Sequence, residues 1–269
     1  MKLRIKRLIS QISFLFAANL GAFGVKTGFC FPFFYCQACP AASAACPIRA
    51  LEVGVFRGNI NLKLIFYPIL ILGFVGVVSG RAFCGWACPI GLLQRGTGKI
   101  ARKLKKYSLI NKLGSLKIEA YFRYAKYAGL FGLAIITPFL IGFMFTDICP
   151  VGVLVGTIPI LVLNPGQYIP SSYFYPAIVI FVLFIVLIFT VERGWCRYFC
   201  PVGAMLAPFN KISSIYVDVE TKACTHCHLC SKVCPMGIDI PNMHRDPECI
   251  LCGKCINACP NLLINFKRK

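Results

Sequence analysis

Four long apolar stretches punctuate the chain, at residues 8–25, 62–80, 124–145 and 173–191. The first is interrupted only by Gln11, Asn19 and some Ser and Gly, and the second reads LKLIFYPILILGFVGVVSG. The third contains AGLFGLAIITPFLIGFMF, and the fourth contains AIVIFVLFIVLIF with no charge. A bilayer core is crossed by about 20 apolar residues in a helix, so each stretch predicts a transmembrane helix. A shorter run, VGVLVGTIPILVLN at 151–164, is about 14 residues long, the length of a re-entrant or interfacial piece. Its Pro159 argues against a straight membrane helix. From residue 211 onward the pattern turns polar. The predicted fold is a membrane all-α domain over 1–210, four transmembrane helices in two pseudo-repeats (about 8–100 and 120–205) with short re-entrant segments. A small α+β domain over 211–269 follows.

Composition supports that division. The chain has 269 residues, 58% hydrophobic, too apolar for an ordinary soluble domain; mean hydropathy is +0.72. The opening MKLRIKRL reads as the flank of a first anchor rather than a cleaved signal, because no small-residue cleavage site follows cleanly and the apolar pattern resumes three more times. The net charge of +20 is concentrated before the first stretch and in the loop after the second, where Arg95, Lys99, Arg102, Lys103, Lys105, Lys106, Lys112 and Lys117 lie. The loop at 147–173 has no Lys or Arg. Loop asymmetry of this kind puts both termini in the cytoplasm, with 29–61 and 147–173 outside, in a multi-pass inner-membrane protein. The basic loop suits anionic lipid head groups. No nucleic-acid motif accompanies the charge, so a nucleic-acid partner is not expected.

The polar tail carries the sharpest chemistry. Cys224, Cys227, Cys230 and Cys234 stand at C-x2-C-x2-C-x3-C-P, and Cys249, Cys252, Cys255 and Cys259 repeat the spacing. That run holds [4Fe–4S] clusters in bacterial-type two-cluster ferredoxins, the fourth cysteine serving the other cluster. One set is therefore Cys224, Cys227, Cys230 and Cys259, and the other Cys249, Cys252, Cys255 and Cys234. Paired C-x2-C motifs also build four-cysteine zinc sites, but two full runs each ending in Pro favour iron. His226 and His228 read as solvent-facing spacers between ligands.

The remaining cysteines are 30, 36, 39, 46, 84, 88, 149, 196 and 200. Four share a signature: Cys46-Pro-Ile-Arg, Cys88-Pro-Ile-Gly, Cys149-Pro-Val-Gly and Cys200-Pro-Val-Gly. Their order defines the internal repeat, with a pseudo-twofold axis along the membrane normal. Cys84, Cys88, Cys196 and Cys200 fall at the cytoplasmic ends of the second and fourth stretches. An i, i+4 pair shares one helical face, so two such pairs can close around one cubane. Pro suits the first helical position, and a helix N-terminus favours a negatively charged cluster. Cys36, Cys39, Cys46 and Cys149 fall on the outer side, enough for a second membrane cluster. A disulfide between Cys36 and Cys39, with Cys30 and Cys46 as a second pair, stays open there; Cys30 is otherwise left over.

YCQACPAASAACPIRAL, AFCGWACPIGLLQ, WCRYFCPVGAM and the double ferredoxin tail together resemble the polytopic 4Fe–4S membrane proteins. That group includes the NapH-type ferredoxin subunit of periplasmic nitrate reductase systems, the membrane part of the nitrous-oxide-reductase regulator, and the copper-reducing oxidase-assembly protein. The likeness runs from Phe29 to Pro260 and implies electron transfer between a cytoplasmic or quinone pool and an acceptor across the membrane. Arg49 departs from the Gly of the other three copies, which predicts a different backbone after Cys46. Some members also lack the outer C-x2-C-P run, so the nitrate-system role does not transfer directly.

The expected function is a membrane-bound iron–sulfur electron-transfer protein, passing electrons between a ferredoxin-like cytoplasmic donor or quinol and an acceptor reached across the membrane, an extracytoplasmic protein included. Two [4Fe–4S] clusters are expected in the tail and two more in the membrane half. All three histidines, His226, His228 and His244, are in the tail, so no apolar stretch supplies the ligand of a b-type haem. No G-x-G-x-x-G fingerprint for NAD or flavin appears, so electrons come from a partner subunit, a soluble ferredoxin or quinol. The basic tail suggests an acidic docking partner. A quinol dehydrogenase using Gln94, Glu192 or Asp147 for protons is an alternative, as is a thiol or metal reductase using the outer cysteines; a quinone remains an open cofactor.

Overall fold

In the computed structural model the first apolar stretch forms helix α1, Lys2–Ala18, which takes in the basic prefix and stops before Asn19. Residues 2–36, 39, 41–104, 121–163, 172–243 and 245–269 are described. His244, the loop residues Lys105, Lys106, Lys112 and Lys117, and positions 164–171 of the expected outer loop lie outside the described residues. Helix α2, Pro47–Gly54, follows Cys46, and the second apolar stretch forms α3, Leu62–Ser79. Short helix α4, Ala82–Trp86, carries Cys84, and α5, Pro89–Leu104, begins after Cys88.

The second half repeats this plan. Its apolar helices are α6, Ala125–Leu140; α7, Pro150–Val162; and α8, Phe174–Thr190. Short helices α9, Gly194–Tyr198, and α10, Pro201–Leu206, then carry Cys196 and follow Cys200. The halves are interleaved, since α8 packs on α5 and α10 packs on α3.

Among the described residues α3 alone is long and apolar enough to cross a membrane; α6, α7 and α8 are apolar but shorter. At 1.5 Å per residue α3 reaches about 27 Å, close to the thickness of a hydrocarbon core. The expectation of four full-length spanning helices is thus met by one, and the others have local causes. Helix α1 spends its first turns on Arg4, Lys6 and Arg7. Helix α6 ends at Ile141 and the left-handed Gly142. Helix α8 ends at the extended Val191.

Helix α7 is too short to span and carries Pro159 within it. A π-helical turn at Val153–Thr157 precedes it, and another at Gly129–Ile136 precedes Pro138 in α6. Proline lacks an N–H and crowds the carbonyl four residues back, and a wide turn relieves both.

The apolar surface points outward. Leu70, Phe74, Val179 and Leu183 are exposed, whereas Arg81, Arg193 and Lys126 are among the largest fully buried side chains. An exposed apolar belt around a polar interior is the arrangement lipid favours and water opposes. The tail is a two-stranded antiparallel ribbon, β1, Ile215–Val219, with β2, Ile264–Arg268, placing Val217 opposite Phe266. Two short helices, α11, Leu229–Lys232, and α12, Lys254–Ala258, pack on each other beside it.

The tail is seated directly on the helical half. Gly76 lies so close to Phe209 that a Cβ there would stand 2.6 Å from its ring. Asn210, buried next door, accepts from the Arg81 N–H at 2.8 Å. Its amide donates to the carbonyls of Asp246, Pro247 and Cys249 at 3.1, 3.0 and 2.7 Å. One side chain thus ties the end of α3 to the second cysteine run.

Candidate functional site

Each Cys-Pro signature opens a helix in the same way. Cys46, Cys149 and Cys200 are N-cap residues in extended conformation with Pro inside the first turn. The carbonyls of Cys46, Cys88, Cys149 and Cys200 accept from Ala50, Leu92, Val153 and Ala204, each at 3.1 Å. The Cys200 sulfur also accepts from the Gly203 N–H at 3.4 Å, whereas Cys46 and Cys149 cap their helices without such a side-chain bond. Capping by a side-chain acceptor satisfies an otherwise orphaned donor, and an ionised sulfur is the better acceptor. The backbone after Cys46 is therefore that of the other copies, and Arg49 does not alter it.

On the inner side Cys196, Cys84 and Cys88 all lie within electrostatic reach of the Cys200 sulfur. Two arginines, which the cysteine spacing did not single out, complete the centre by reciprocal exchange. Arg193, three residues before Cys196, donates to the Cys84 carbonyl at 2.9 Å. Arg81, three residues before Cys84, donates to the Cys196 carbonyl at 3.2 Å. The signature glycines make room for them. A Cβ on Gly91 would meet Arg193 Nη1 at 2.9 Å, and one on Gly203 would meet Arg81 Nη2 at 2.9 Å. The sequence signal was available as Arg-x2-Cys-x3-Cys-Pro-x-Gly, present in both halves.

The residues fit a bound anionic group. Arg193 is 1% exposed, has no ion pair among the described residues, and leaves Nη2 buried without a hydrogen bond; Arg81 leaves Nε so. A buried cation demands compensating charge. Burial pushes the thiols of Cys84, Cys88 and Cys200 upward, Cys88 to about 12. Only a metal makes such thiols ligands, displacing their protons. A [4Fe–4S] group held by four thiolates is an anion that would answer both needs. Gln94, fully buried, donates from Nε2 to Cys196 Sγ at 3.2 Å, so it addresses a sulfur rather than a proton path.

A second network runs from this centre to the tail. Glu248 accepts from Arg81 at 2.8 Å through Oε2 and from Lys126 through Oε1. Burial raises the Glu248 pKa, but Arg81 and Lys126 outweigh it and hold the carboxyl below its ordinary value. Trp86 Nε1 donates to the Leu251 carbonyl at 2.8 Å. A Cβ on Gly85 would stand 2.3 Å from the Ile250 carbonyl oxygen. Arg7 bonds the carbonyls of Gly85 at 2.7 Å and Cys252 at 3.4 Å. The loop holding Cys249 and Cys252 therefore lies on the helix holding Cys84.

In the tail one hollow is lined by Cys224, Cys227, Cys230 and Cys259, and another by Cys234, Cys249, Cys252 and Cys255. Each run turns left-handed at matching places. His226 and Leu251 have φ of 51° and 46°, and His228 and Gly253 have 54° and 68°. His226 and His228 are exposed, with His228 Nδ1 3.1 Å from Asp239. Burial raises Cys255 to about 12, with the charges of Cys252 and Cys234 adding. No three His, Cys, Asp or Glu side chains among the described residues are grouped as a single-ion site.

The outer side is less complete. Cys36, Cys46 and Cys149 line one open chamber with Tyr35, Arg49, Thr146 and Asp147. Cys39 is not among its lining residues; its sulfur is 3.9 Å from Asn19 Oδ1, which also accepts from Tyr35 at 2.8 Å. Cys30 is buried apart, bridged through its backbone to Ala45. No disulfide joins any two cysteines among the described residues. Arg49 pairs with Asp147 at 2.7 Å. Glu52, missed in the sequence and fully buried, accepts from the Thr146 hydroxyl and from its N–H at 3.3 Å. Burial raises its pKa to about 7, against the Thr146 bonds. Glu192 pairs with Arg102 and Lys254, clamping α8 to α5 and the tail. Neither Glu192 nor Asp147 is left free for proton work.

Known proteins match this pattern. The 4Fe–4S binding domain family matches twice, at residues 60–107 and 173–216, one match per half. The 4Fe–4S dicluster domain family matches residues 209–269. An uncharacterised protein of Methanocaldococcus jannaschii is 28% identical across 98% of this chain and 96% of its own length. Ferredoxin-type protein NapH of Haemophilus influenzae is 26% identical over 77% of this chain and 69% of its own. Methylamine utilization ferredoxin-type protein MauN of Methylorubrum extorquens is 30% identical over 72% and 60%. The chain is similar to the NapH-type ferredoxin membrane proteins. It is an iron–sulfur electron-transfer protein that binds [4Fe–4S] clusters and works with redox partners. No solved structure matches it.

Proposed function

We propose that the protein is a multi-pass conduit carrying electrons between the cytoplasm and an acceptor at the outer face, with both termini cytoplasmic. The reading divides it at residue 210 into a membrane part and a two-cluster ferredoxin part. Four ligand sets are assigned: Cys224, Cys227, Cys230 and Cys259; Cys249, Cys252, Cys255 and Cys234; Cys84, Cys88, Cys196 and Cys200; and Cys36, Cys39, Cys46 and Cys149. [4Fe–4S] groups bound there supply one-electron carriers. The chain's residues hold the two middle sets against each other. The observation that carries the reading is the seating of the Cys249–Cys252 loop on the Cys84 helix, through Gly85, Trp86 and the Arg81–Glu248 pair. Arg81 and Arg193 supply positive charge beside the inner set, Gln94 a donor to its Cys196 sulfur, and the capping N–H groups orient its thiols.

The test is iron and acid-labile sulfide per chain on anaerobically purified protein, full length and with Cys84→Ser/Cys196→Ser. Four cubanes predict about 16 irons, falling to about 12 in the double variant. About 8 in both proteins would make the membrane cysteines ordinary thiols and defeat the conduit.

A second reading for the outer side alone rests on the three thiols that share an open chamber. They suit a thiol or metal reductase. Alkylation before and after mild reduction separates the two, because new labelling without iron loss marks a disulfide.

A further inference from the structure

A cleft opens where α1, α5 and the tail meet. Arg4 and Arg7 enter it from α1, and Arg95, Lys99 and Arg102 from α5. Lys232 and Lys254 close it from the tail, and Cys252 stands in its wall; no acidic residue lines it. Two of its cations, Arg102 and Lys254, are already paired with Glu192. Arg4, Lys99 and Lys232 are exposed and have no ion pair among the described residues. Arg95 spends its donors on neutral oxygens, Gln11 Oε1 and the Arg4 carbonyl. Arg7 likewise bonds carbonyls, one of them that of Cys252. Like charges crowded into a cleft repel one another, so the cost is offset only by an opposite charge that arrives from elsewhere. Among the described residues no acid is paired with Arg4, Lys99 or Lys232.

The other exposed ligand edge looks different. Cys227 is open to solvent between His226 and His228, and His228 Nδ1 lies 3.1 Å from Asp239, an acid rather than a further base. Two routes to the tail therefore exist, and only one carries a field able to gather and orient a charged partner.

We infer that this cleft is the docking site for an acidic one-electron carrier protein, which exchanges its electron at Cys252 rather than at Cys227. The inference rests on the reading of Cys252 as a cluster ligand. The exchange moves a single electron, lost by one partner and gained by the other, with no bond or proton transferred. Arg4, Lys99 and Lys232 form the recognition rim, and Arg7 backs the Cys252 loop.

The probe is an oxidised acidic [2Fe–2S] ferredoxin, titrated against the full chain in neutral-lipid nanodiscs at low and high salt. Lys99→Glu/Lys232→Glu is compared with Lys211→Glu/Arg268→Glu, which changes net charge equally outside the cleft. The expected result is a Kd at least tenfold weaker for the cleft variant at low salt, a control within threefold of the parent, and a difference that closes at high salt. Equal weakening in both variants would show diffuse attraction by a basic protein and overturn the site. So would no weakening, or loss of parental binding once anionic phosphatidylglycerol is added, which marks the cleft as a lipid site. Electron paramagnetic resonance of the photoreduced parent separates the two levels. Absent [4Fe–4S] signals overturn the cluster reading, and with it the site's role, even where the ferredoxin binds. Intact signals with unselective binding overturn the docking site alone.

Discussion

The inner and outer cysteine centres are built on the same device and finished differently. Both use a cysteine N-cap followed by Pro, with one carbonyl bond of 3.1 Å, and the inner Cys200 alone of these caps adds an N–H bond to its sulfur. The inner centre has four thiols within electrostatic reach of one another, two buried arginines exchanged between halves, and glycines that admit them. The outer chamber gathers three thiols, stands open, and has Arg49 where the inner centre has glycine. Arg49 there turns outward to Asp147 instead of inward to a carbonyl. A repeated local motif thus sets ligand geometry, and the residues packed around it decide whether the site is closed or accessible. A closed centre suits electron relay within the protein, and an open one suits contact with an acceptor.

The comparison breaks most sharply at Glu248. Glu248→Gln leaves Arg81 and Lys126 buried with a neutral partner, and removing one member of a buried ion pair costs about 3–5 kcal/mol. Denaturant melts in detergent should show that loss together with weaker protection of the Cys249 loop in hydrogen exchange. A loss below about 1 kcal/mol, the range of exposed pairs, would mean that the inner centre is not held by this network.

The two centres should also respond to pH with opposite sign. Folded Glu52 keeps its proton up to about pH 7, whereas the unfolded carboxyl releases it near 4.5. Its contribution to stability is complete below pH 4.5 and is lost as pH rises toward 7, because the folded state binds more protons in that window. Glu248, held below its ordinary value, contributes fully above pH 4.5 and fades as pH falls further. Glu52→Gln should therefore remove a slope worth up to about 3 kcal/mol between pH 4.5 and 7. An unchanged slope in the variant would assign it elsewhere.

The smallest effect is the most discriminating. A Cβ on Gly91 would stand 2.7 Å from the Cys84 carbonyl oxygen and 2.9 Å from Arg193, while one on Gly152 would meet nothing nearer than the Cys36 sulfur at 3.5 Å. Gly91→Ala should cost about 1–3 kcal/mol by overpacking, and Gly152→Ala about nothing. Equal melting temperatures for the two variants would erase the distinction between closed and open centres.

Cysteine spacing is a local property of the chain, which is why the sequence alone displayed the two cysteine runs of the tail and the repeat of the Cys-Pro signatures. Three thiols two residues apart form a loop whose turns, at His226, His228, Leu251 and Gly253, need only neighbouring residues. The apolar stretches were likewise legible, though their lengths were not, because π turns before Pro138 and Pro159 and the stops at Gly142 and Val191 depend on packing and backbone register. Tertiary structure alone decided what surrounds the sulfurs. Arg81 and Arg193 read in sequence as ordinary basic flanks of apolar helices, and their partners lie more than a hundred residues away. Asn210 and Glu248 carry no motif, and Lys126 opens an apolar helix, yet together they join the tail to the membrane half. A side chain's partner across a core is chosen by where helices cross, and burial then turns a routine charge into one that must be matched.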